Sequence, residues 1–261
     1  CGSSSVAFRF PTGTEEEMVA GRPEVIVALD YPDFESAWAL VEQLPADTWY
    51  KVGLELFTRA GPPVVERLAG EGRNVFLDLK LHDIPNTVAG AVRSASRLGA
   101  RLLTVHAAGG EAMLRAAADA AAEAAAAGNG SGAQAHRRLR LLAITVLTSL
   151  DDASLPAVFG RGATVEETVG RLAGLARESG IDGAVSSVRE CRAIKLACGD
   201  EFMVVTPGIR LAGQDAQDQA RVATPAVASA AGADYLVVGR TITKSEDPRT
   251  ALETVRAAID S

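Results

Sequence analysis

Short apolar runs recur along the chain, and most of them are continuous rather than alternating between apolar and polar positions. Continuous apolar character is expected of parallel strands that are covered on both faces. We therefore predict eight buried strands, which are VIVALD (25–30), WYKVG (49–53), NVFLDLK (74–80), RLLTVHA (101–107), LRLLAITVL (139–147), DGAVSS (182–187), EFMVVTP (201–207) and DYLVVGR (234–240).

Helical patterns lie between these runs, at 34–44, 62–72, 87–99, 164–180 and 248–260, and several end at a glycine suited to a left-handed cap (Gly72, Gly99, Gly180). The strand runs recur about every 30 residues, which is the length of a β-α unit. Eight units predict an α/β fold, a single-domain (β/α)8 TIM barrel over residues 23–261. An open doubly wound sheet is the alternative, but the turn after the first run, LDYPDFES, lacks the dinucleotide fingerprint G-x-G-x-x-G.

Two segments fall outside the repeat. Residues 1–22 are predicted to be a poorly ordered N-terminal extension. Residues 112–136 begin with an alanine-rich helix former and continue into GNGSG, which is typical of a surface connection.

Composition narrows the class of protein. Hydrophobic residues make up 48% and charged residues 23% of 261 residues, as in a globular protein. The net charge of −7 argues against a nucleic-acid backbone as partner but leaves room for one small phosphorylated ligand. Three cysteines, no signal peptide and no apolar run of the roughly 18 residues that span a bilayer predict a cytoplasmic protein without a membrane partner.

Polar residues collect where the predicted strands end, which is where barrel enzymes carry their catalytic groups. They are Asp30, Lys51, Asp78, Lys80, Asp83, His106, Thr148, Ser149, Gly239 and Arg240. In the densest cluster, DLKLHD, period-two geometry puts Asp78 and Lys80 on one side of the strand. An ammonium beside carboxylates is favoured in its charged form, so Lys80 could deliver a proton to a developing carbanion. Lys51, on the neighbouring strand, could bracket the same carboxylate.

A metal centre is weakly indicated. His82, His106 and His136 show no zinc-ligand spacing, although Mg²⁺ on Asp30 and Asp78 stays open. Cys191 and Cys198 lie on one helical stretch and are interpreted as packing residues.

Two predicted loops favour the binding of an anion. TPGIR (206–210) follows the seventh run and VGRT (238–241) follows the eighth, which is the usual phosphate position in a barrel. Gly239 lets backbone N–H groups approach an anion, and Arg240 could hold it bidentately. The polar stretch RLAGQDAQDQAR (210–221) between them could be a lid.

These motifs resemble orotidine 5′-phosphate decarboxylases of the bacterial type, over nearly the whole chain from residue 25 to residue 248. The most specific is DLKLHDIPNTV (78–88), with KVGLELF (51–57), HAAGG (106–110), TVLTS (145–149), TPGIR (206–210) and VVGRTITKSEDP (237–248) in the same order. The resemblance implies a cofactor-free and metal-free carboxy-lyase that makes uridine 5′-phosphate for pyrimidine biosynthesis. It also implies that Lys80 protonates C6 of the pyrimidine while Asp78 faces the substrate carboxylate.

The remaining roles are also implied by the resemblance. The enzyme would be a homodimer with shared active sites. Its catalytic groups would be Lys51 and Lys80, alternating with Asp78 and with Asp83 donated by the other subunit, and Ile84 and Thr87 would also reach across. Substrate would be held by Asp30 and Lys51 at the ribose hydroxyls, Thr148 at the pyrimidine edge, Gln219 from the lid, and Gly239, Arg240 and Arg210 near the phosphate. His106 would belong to the surrounding shell.

Two alternatives stay open from the sequence. One is a sister barrel enzyme on a sugar phosphate, such as a keto-gulonate phosphate decarboxylase or a hexulose phosphate synthase, which shares D-x-K-x-x-D and uses Mg²⁺. The IPNTV continuation, the LTS turn and Gln219 favour the nucleotide enzyme. The other is a catalytically dead barrel that binds a phosphorylated ligand, against which the intact Asp78, Lys80 and Asp83 set speaks.

Overall fold

A computed structural model describes residues 21–128, 138–211 and 223–261. Eight parallel strands close into a barrel in which each strand pairs with the next along the chain and the eighth pairs with the first. The strands are β1 (Glu24–Ala28), β2 (Trp49–Gly53), β3 (Asn74–Leu81), β4 (Leu102–His106), β5 (Arg140–Ile144), β6 (Gly183–Val185), β7 (Met203–Thr206) and β8 (Tyr235–Val238). The predicted barrel is confirmed, and all eight predicted runs contain a strand.

Helices surround the barrel. They are α1 (Phe34–Val41), α2 (Leu54–Ala60), α3 (Pro62–Gly70), α4 (Pro85–Arg97), α5 (Gly110–Ala126), α6 (Pro156–Phe159), α7 (Val165–Glu178), α8 (Val188–Cys198), α9 (Pro225–Ala230), α10 (Arg240–Thr243) and α11 (Pro248–Ala257). The five predicted helices are present as α1, α3, α4, α7 and α11. The three glycines predicted to end helices have φ values of 78°, 83° and 82°.

The apolar residues of the strands divide between two layers. In β1, Ile26 and Ala28 point into the barrel, whereas Val25 and Val27 pack against the helices. Among the described residues, ten buried side chains form the interior, including Trp49, whose ring meets that of Tyr235 edge to face at 5.2 Å. Both faces are therefore apolar, which is why the runs do not alternate.

Side-chain caps set where several helices begin. Asp33 accepts a hydrogen bond from the Ser36 backbone N–H at 2.7 Å at the start of α1, and Asp247 accepts one from Thr250 at 3.0 Å at the start of α11. These bonds satisfy N–H groups that have no partner within the helix, and they lower the pKa of both aspartates. Each of these two caps thus ends the connection that leads into its helix.

The described ends of the chain meet at the face where the strands begin. Arg22 donates a hydrogen bond to the Arg256 carbonyl oxygen at 2.8 Å and pairs with Asp260 at 2.8 Å. Residues 1–20 of the predicted extension, residues 129–132 of the GNGSG connection and residues 212–221 of the predicted lid lie outside the described residues. The alanine-rich stretch before GNGSG is helical in α5, as predicted.

Candidate active site

A carboxylate with two ammonium neighbours lies at the mouth of the barrel. Asp78 is only 8% exposed, and its Oδ2 lies 2.7 Å from Lys80 Nζ and 4.0 Å from Lys51 Nζ. A nearly buried carboxylate is tolerated when opposite charges and hydrogen bonds compensate its lost hydration. The predicted bracketing of Asp78 by two lysines is confirmed.

Lys51 also links this cluster to the first strand. Its Nζ donates a hydrogen bond to Asp30 Oδ1 at 2.9 Å, and Asp30 lies just beyond the end of β1. The parallel register pairs Ala28 with Lys51, which brings the end of β1 beside β2. Asp30, Lys51, Asp78 and Lys80 thus form one continuous chain of alternating charges across three strands.

The backbone that carries Lys80 departs from regular strand geometry. Leu77 pairs with Leu103 and Leu81 with Val105, so three residues of β3 oppose the single residue Thr104 of β4. Within this bulge Lys80 has φ of 49°, the left-handed region that side-chain-bearing residues rarely adopt. The predicted closeness of Asp78 and Lys80 is confirmed, whereas the regular period-two strand assumed for it is interrupted at Lys80.

Thr104 connects both reactive groups and was missed in the sequence analysis. Its hydroxyl accepts a hydrogen bond from the Lys80 backbone N–H at 2.8 Å and donates one to Asp78 Oδ1 at 2.9 Å. The side chain is fully buried. The signal available in the sequence was one hydroxyl within the apolar run LLTVH, next to the strand that carries DLK.

Two histidines lie beside the cluster. His106, at the end of β4, stacks on His82 with ring centroids 5.2 Å apart. Burial lowers the pKa of His106, and the neighbouring charges of His82 and Lys80 lower it further. His106 is therefore less readily protonated than an exposed histidine.

The four charged residues Asp30, Lys51, Asp78 and Lys80 line a cavity of about 290 Å³. Its base is apolar, because Ala28, Phe76 and Val237 point into it from inside the barrel. Among its lining residues are eight that the sequence analysis predicted, namely Asp30, Lys51, Asp78, Lys80, Thr148, Arg210, Gly239 and Arg240. An apolar pocket with a few convergent polar groups is the usual form of a small-molecule site.

The loops after β7 and β8 form one side of the cavity. Gly208 has φ of 80°, and the Arg210 guanidinium donates a hydrogen bond to the Ile209 carbonyl oxygen at 3.1 Å. Gly239 precedes Arg240, which is exposed. The predicted anion-binding residues Arg210, Gly239 and Arg240 therefore share one cavity, whereas Gln219 lies outside the described residues.

Three predicted site residues are absent from the lining of this cavity. Asp83, Ile84 and Thr87 are exposed, and Ile84 shows 67% of its surface. Asp83 Oδ1 accepts a hydrogen bond from the Ile84 backbone N–H at 2.6 Å, just before α4 begins. Within one chain, these residues are therefore exposed and do not line the cavity.

The cysteines and the metal prediction can be placed as well. Cys191 and Cys198 are buried on α8, as expected for packing residues. Burial raises the pKa of the Cys191 thiol to about 11.

Among residues 21–128, 138–211 and 223–261, no group of three or more His, Cys, Asp or Glu side chains could hold a metal ion. In those same ranges, no helix has both the length and the apolar character needed to cross a bilayer.

A closed parallel barrel with an aspartate–lysine cluster at the carboxyl ends of its strands defines a (β/α)8-barrel enzyme class. A family model described as orotidine 5′-phosphate decarboxylase / HUMPS family matches residues 23–255. The chain belongs to this family.

Individual relatives agree with this assignment. The chain is 52% identical to orotidine 5′-phosphate decarboxylase of Moorella thermoacetica over 94% of its own length and 96% of the relative's. It is also 52% identical to the Halorhodospira halophila protein of the same name, over 92% of its length and 98% of the relative's. Among solved structures, orotidine 5′-phosphate decarboxylase from Lactobacillus acidophilus superposes with a TM-score of 0.79 at 39% identity, covering 92% of this chain and 100% of that one.

Proposed function

We propose that the protein converts orotidine 5′-phosphate to uridine 5′-phosphate and CO₂, with Lys80 as the proton donor to C6 and without a metal or organic cofactor. The observation that carries the proposal is the Lys80 ammonium 2.7 Å from the buried Asp78 carboxylate, inside the cavity at the barrel mouth. The relatives that bear the decarboxylase name support the choice of substrate.

In this proposal, the two ends of the cavity bind different parts of the substrate. Its phosphate lies at the β7 and β8 loops, where Arg240, the Gly239 backbone and Arg210 supply positive charge and donors. Its ribose hydroxyls lie at the Asp30–Lys51 pair, which offers both an acceptor and a donor. Thr148 faces the pyrimidine edge, and Gln219 completes the contact from the predicted lid.

The chemical step needs one proton and no redox partner. The bond from C6 to the carboxylate breaks, CO₂ leaves, and the bonding electron pair stays on C6. Lys80 then transfers a proton from Nζ to C6 and is reprotonated from solvent. A preorganised ammonium lowers the energy of the carbanion because its charge is already oriented when the negative charge develops.

Asp78 holds Lys80 in that orientation and faces the substrate carboxylate. With Lys51 at 4.0 Å and Lys80 at 2.7 Å, its negative charge stays compensated while substrate is absent. Asp78 and the substrate carboxylate repel each other when the substrate binds. Binding energy from the phosphate can offset this repulsion, because the phosphate lies far from the bond that breaks and its contacts persist throughout the reaction.

The enzyme acts as a homodimer with shared active sites. Exposed Asp83, Ile84 and Thr87 lie at the start of α4, next to the bulge that carries Lys80 but outside the cavity of their own chain. An exposed isoleucine beside a carboxylate suits an interface in which these residues complete the cavity of the other subunit. The single barrel spans residues 23–261, and the protein works in the cytoplasm without nucleic-acid or membrane partners.

The test is a spectroscopic assay of orotidine 5′-phosphate consumption by protein freed of metal with a chelator. We expect loss of the substrate absorbance together with formation of uridine 5′-phosphate and one equivalent of CO₂. Activity that disappears on chelation and returns with Mg²⁺ would point to the sister sugar-phosphate enzymes. Tight binding of uridine 5′-phosphate without turnover would indicate a barrel that only binds its ligand.

A further inference from the structure

The hydroxyl oxygen of Thr104 takes part in hydrogen bonds with both the backbone of Lys80 and the carboxylate of Asp78. The directions of the bonds are fixed by chemistry, because a backbone N–H only donates and a carboxylate only accepts. The single hydroxyl proton therefore goes to Asp78 Oδ1, and a lone pair receives the Lys80 N–H. Thr104 is fully buried on β4, so neither bond competes with bulk water.

The bulge explains why a side chain is needed at this position. Three residues of β3 lie opposite Thr104 alone, so the strand ladder cannot supply a backbone partner for each of them. The Thr104 hydroxyl takes the place of a ladder carbonyl for the Lys80 N–H. It does so where Lys80 is held at φ of 49°, in the left-handed region that is strained for a residue with a Cβ.

We propose that Thr104 is a positioning residue for the decarboxylation, because its hydroxyl locks the left-handed backbone of Lys80 and the orientation of Asp78 in one unit. This inference rests on the proposed function. Without the hydroxyl, the Lys80 backbone relaxes towards a regular strand. The ammonium then moves away from the point where C6 of the substrate is held.

Valine at this position keeps the shape of threonine and replaces the hydroxyl with a methyl group, so Thr104→Val is the informative variant. We expect kcat to fall about 100-fold, as for an ångström-scale misplacement of a reacting group. KM should stay within about twofold of the unchanged enzyme, because the phosphate contacts lie at the β7 and β8 loops. Thr104→Ser retains the hydroxyl and should recover most of kcat.

A matched control is Thr145→Val. Thr145 is buried directly after β5, the strand that pairs with β4. Its hydroxyl donates a hydrogen bond to the Val185 carbonyl oxygen at 3.1 Å and not to Lys80 or Asp78. A similar fall of kcat in both valine variants would assign the effect to general loosening and overturn the inference. If Thr104→Val does not fold, Thr104→Ala removes the same hydroxyl with a smaller side chain and carries the same expectations.

A crystal structure of the Thr104 variant separates this inference from the proposed function. We expect φ of Lys80 to leave the left-handed region, or Nζ to leave Asp78, whether or not the protein turns over orotidine 5′-phosphate. Unchanged positions of both groups, or unchanged kcat in an active enzyme, would refute the positioning role. An unchanged chain without decarboxylase activity would instead refute the proposed function alone.

Discussion

The Lys80 ammonium lies 2.7 Å from Asp78 Oδ2, although the two residues are separated by a single leucine on one strand. In a regular strand, side chains two positions apart are parallel and nearly 7 Å apart at their Cα atoms. The bulge at Lys80 turns the backbone, and the long lysine side chain returns to the carboxylate. The pair is thus a product of local strand geometry as well as of opposite charge.

Removal of the ammonium should abolish catalysis but not binding. For Lys80→Ala we expect kcat to fall by at least about 10⁴-fold, since both charge stabilisation and the proton are lost. Calorimetry should still detect binding of uridine 5′-phosphate, because Arg240 and Gly239 are unchanged. Turnover within about tenfold of the unchanged enzyme would rule out Lys80 as the proton donor.

Mixed subunits test the shared site. Asp83→Ala and Lys80→Ala homodimers should each be inactive, whereas a random mixture should recover about one quarter of full activity, because half of the dimers then contain one intact site. The measurement is turnover after subunit exchange, with Asp83→Ala mixed with unchanged enzyme as the control. No gain above the separate variants would show that each cavity is complete within its own chain.

Gly53 leaves room for the Lys51 ammonium. Its φ of −94° and ψ of −176° suit any residue, yet a Cβ there would lie 2.8 Å from Lys51 Nζ. We therefore expect Gly53→Ala to displace Nζ from Asp30 and to lower kcat/KM by about 10- to 100-fold, because a charge-assisted hydrogen bond is lost. The fold should persist, since the atom that must move ends a flexible side chain.

Two further variants make the Gly53 test specific. Gly70→Ala adds the same methyl group on α3, where the new Cβ would lie within 4 Å of no atom beyond its own stretch of helix, and should leave kcat/KM unchanged. In a Lys51→Ala background, Gly53→Ala should cost nothing more, because the atom it displaces is gone. Additive losses in the double variant would contradict a steric action through Lys51.

The phosphate contact should appear as binding energy. Arg240→Ala is expected to lower kcat/KM for orotidine 5′-phosphate by about 10- to 100-fold, the size of a lost hydrogen bond to a charged group. The same variant should act on orotidine, which has no phosphate, at the rate of the unchanged enzyme. An equal loss with both substrates would place Arg240 near the reacting carbon instead of the phosphate.

The buried thiol of Cys191 should limit stability at high pH. Its pKa is raised to about 11 in the folded chain by burial, whereas an unfolded cysteine has the ordinary value of 9.0. Above pH 9 the unfolded state releases a proton that the folded state keeps, so the stability contributed by the neutral thiol is lost as pH rises towards 11. The slope is at most about 1.4 kcal/mol per pH unit.

Urea unfolding of the unchanged chain and of Cys191→Ala between pH 8 and pH 10.5 measures this effect. The unchanged chain should lose stability faster above pH 9, and the difference between the two slopes belongs to the thiol. Tyr50, whose pKa burial raises to about 12, contributes equally to both chains and cancels in the comparison. Parallel slopes would show that Cys191 does not titrate on unfolding.

The barrel could be predicted because its signal is repeated eight times. Each strand in a covered parallel sheet is apolar on both faces. The continuous apolar runs VIVA and LLTV therefore predict β1 and β4. The polar ends of the strands then collect Asp30, Lys51 and Lys80 at one mouth by topology alone. No knowledge of side-chain conformation is required for that step.

The arrangement inside the mouth depended on features without a sequence period. The two-residue excess of β3 over β4 is a property of the pairing between strands, and neither strand shows it by itself. Thr104 therefore looked like one polar residue in an apolar run. The exposure of Asp83 and Ile84 likewise has no signal in the motif DLKLHDIPNTV, because residue type alone does not show that they lie outside the cavity of their own chain.

The contact between Arg22 and Asp260 places both described chain ends beneath the barrel, on the side away from the lysines. An attachment at Ser261 is thus directed away from the mouth. We expect protein immobilised through that residue to retain the turnover of the free enzyme, which a comparison of bead-bound and dissolved preparations would measure. The fold thus places the attachment point and the mouth of the barrel at opposite ends of the molecule.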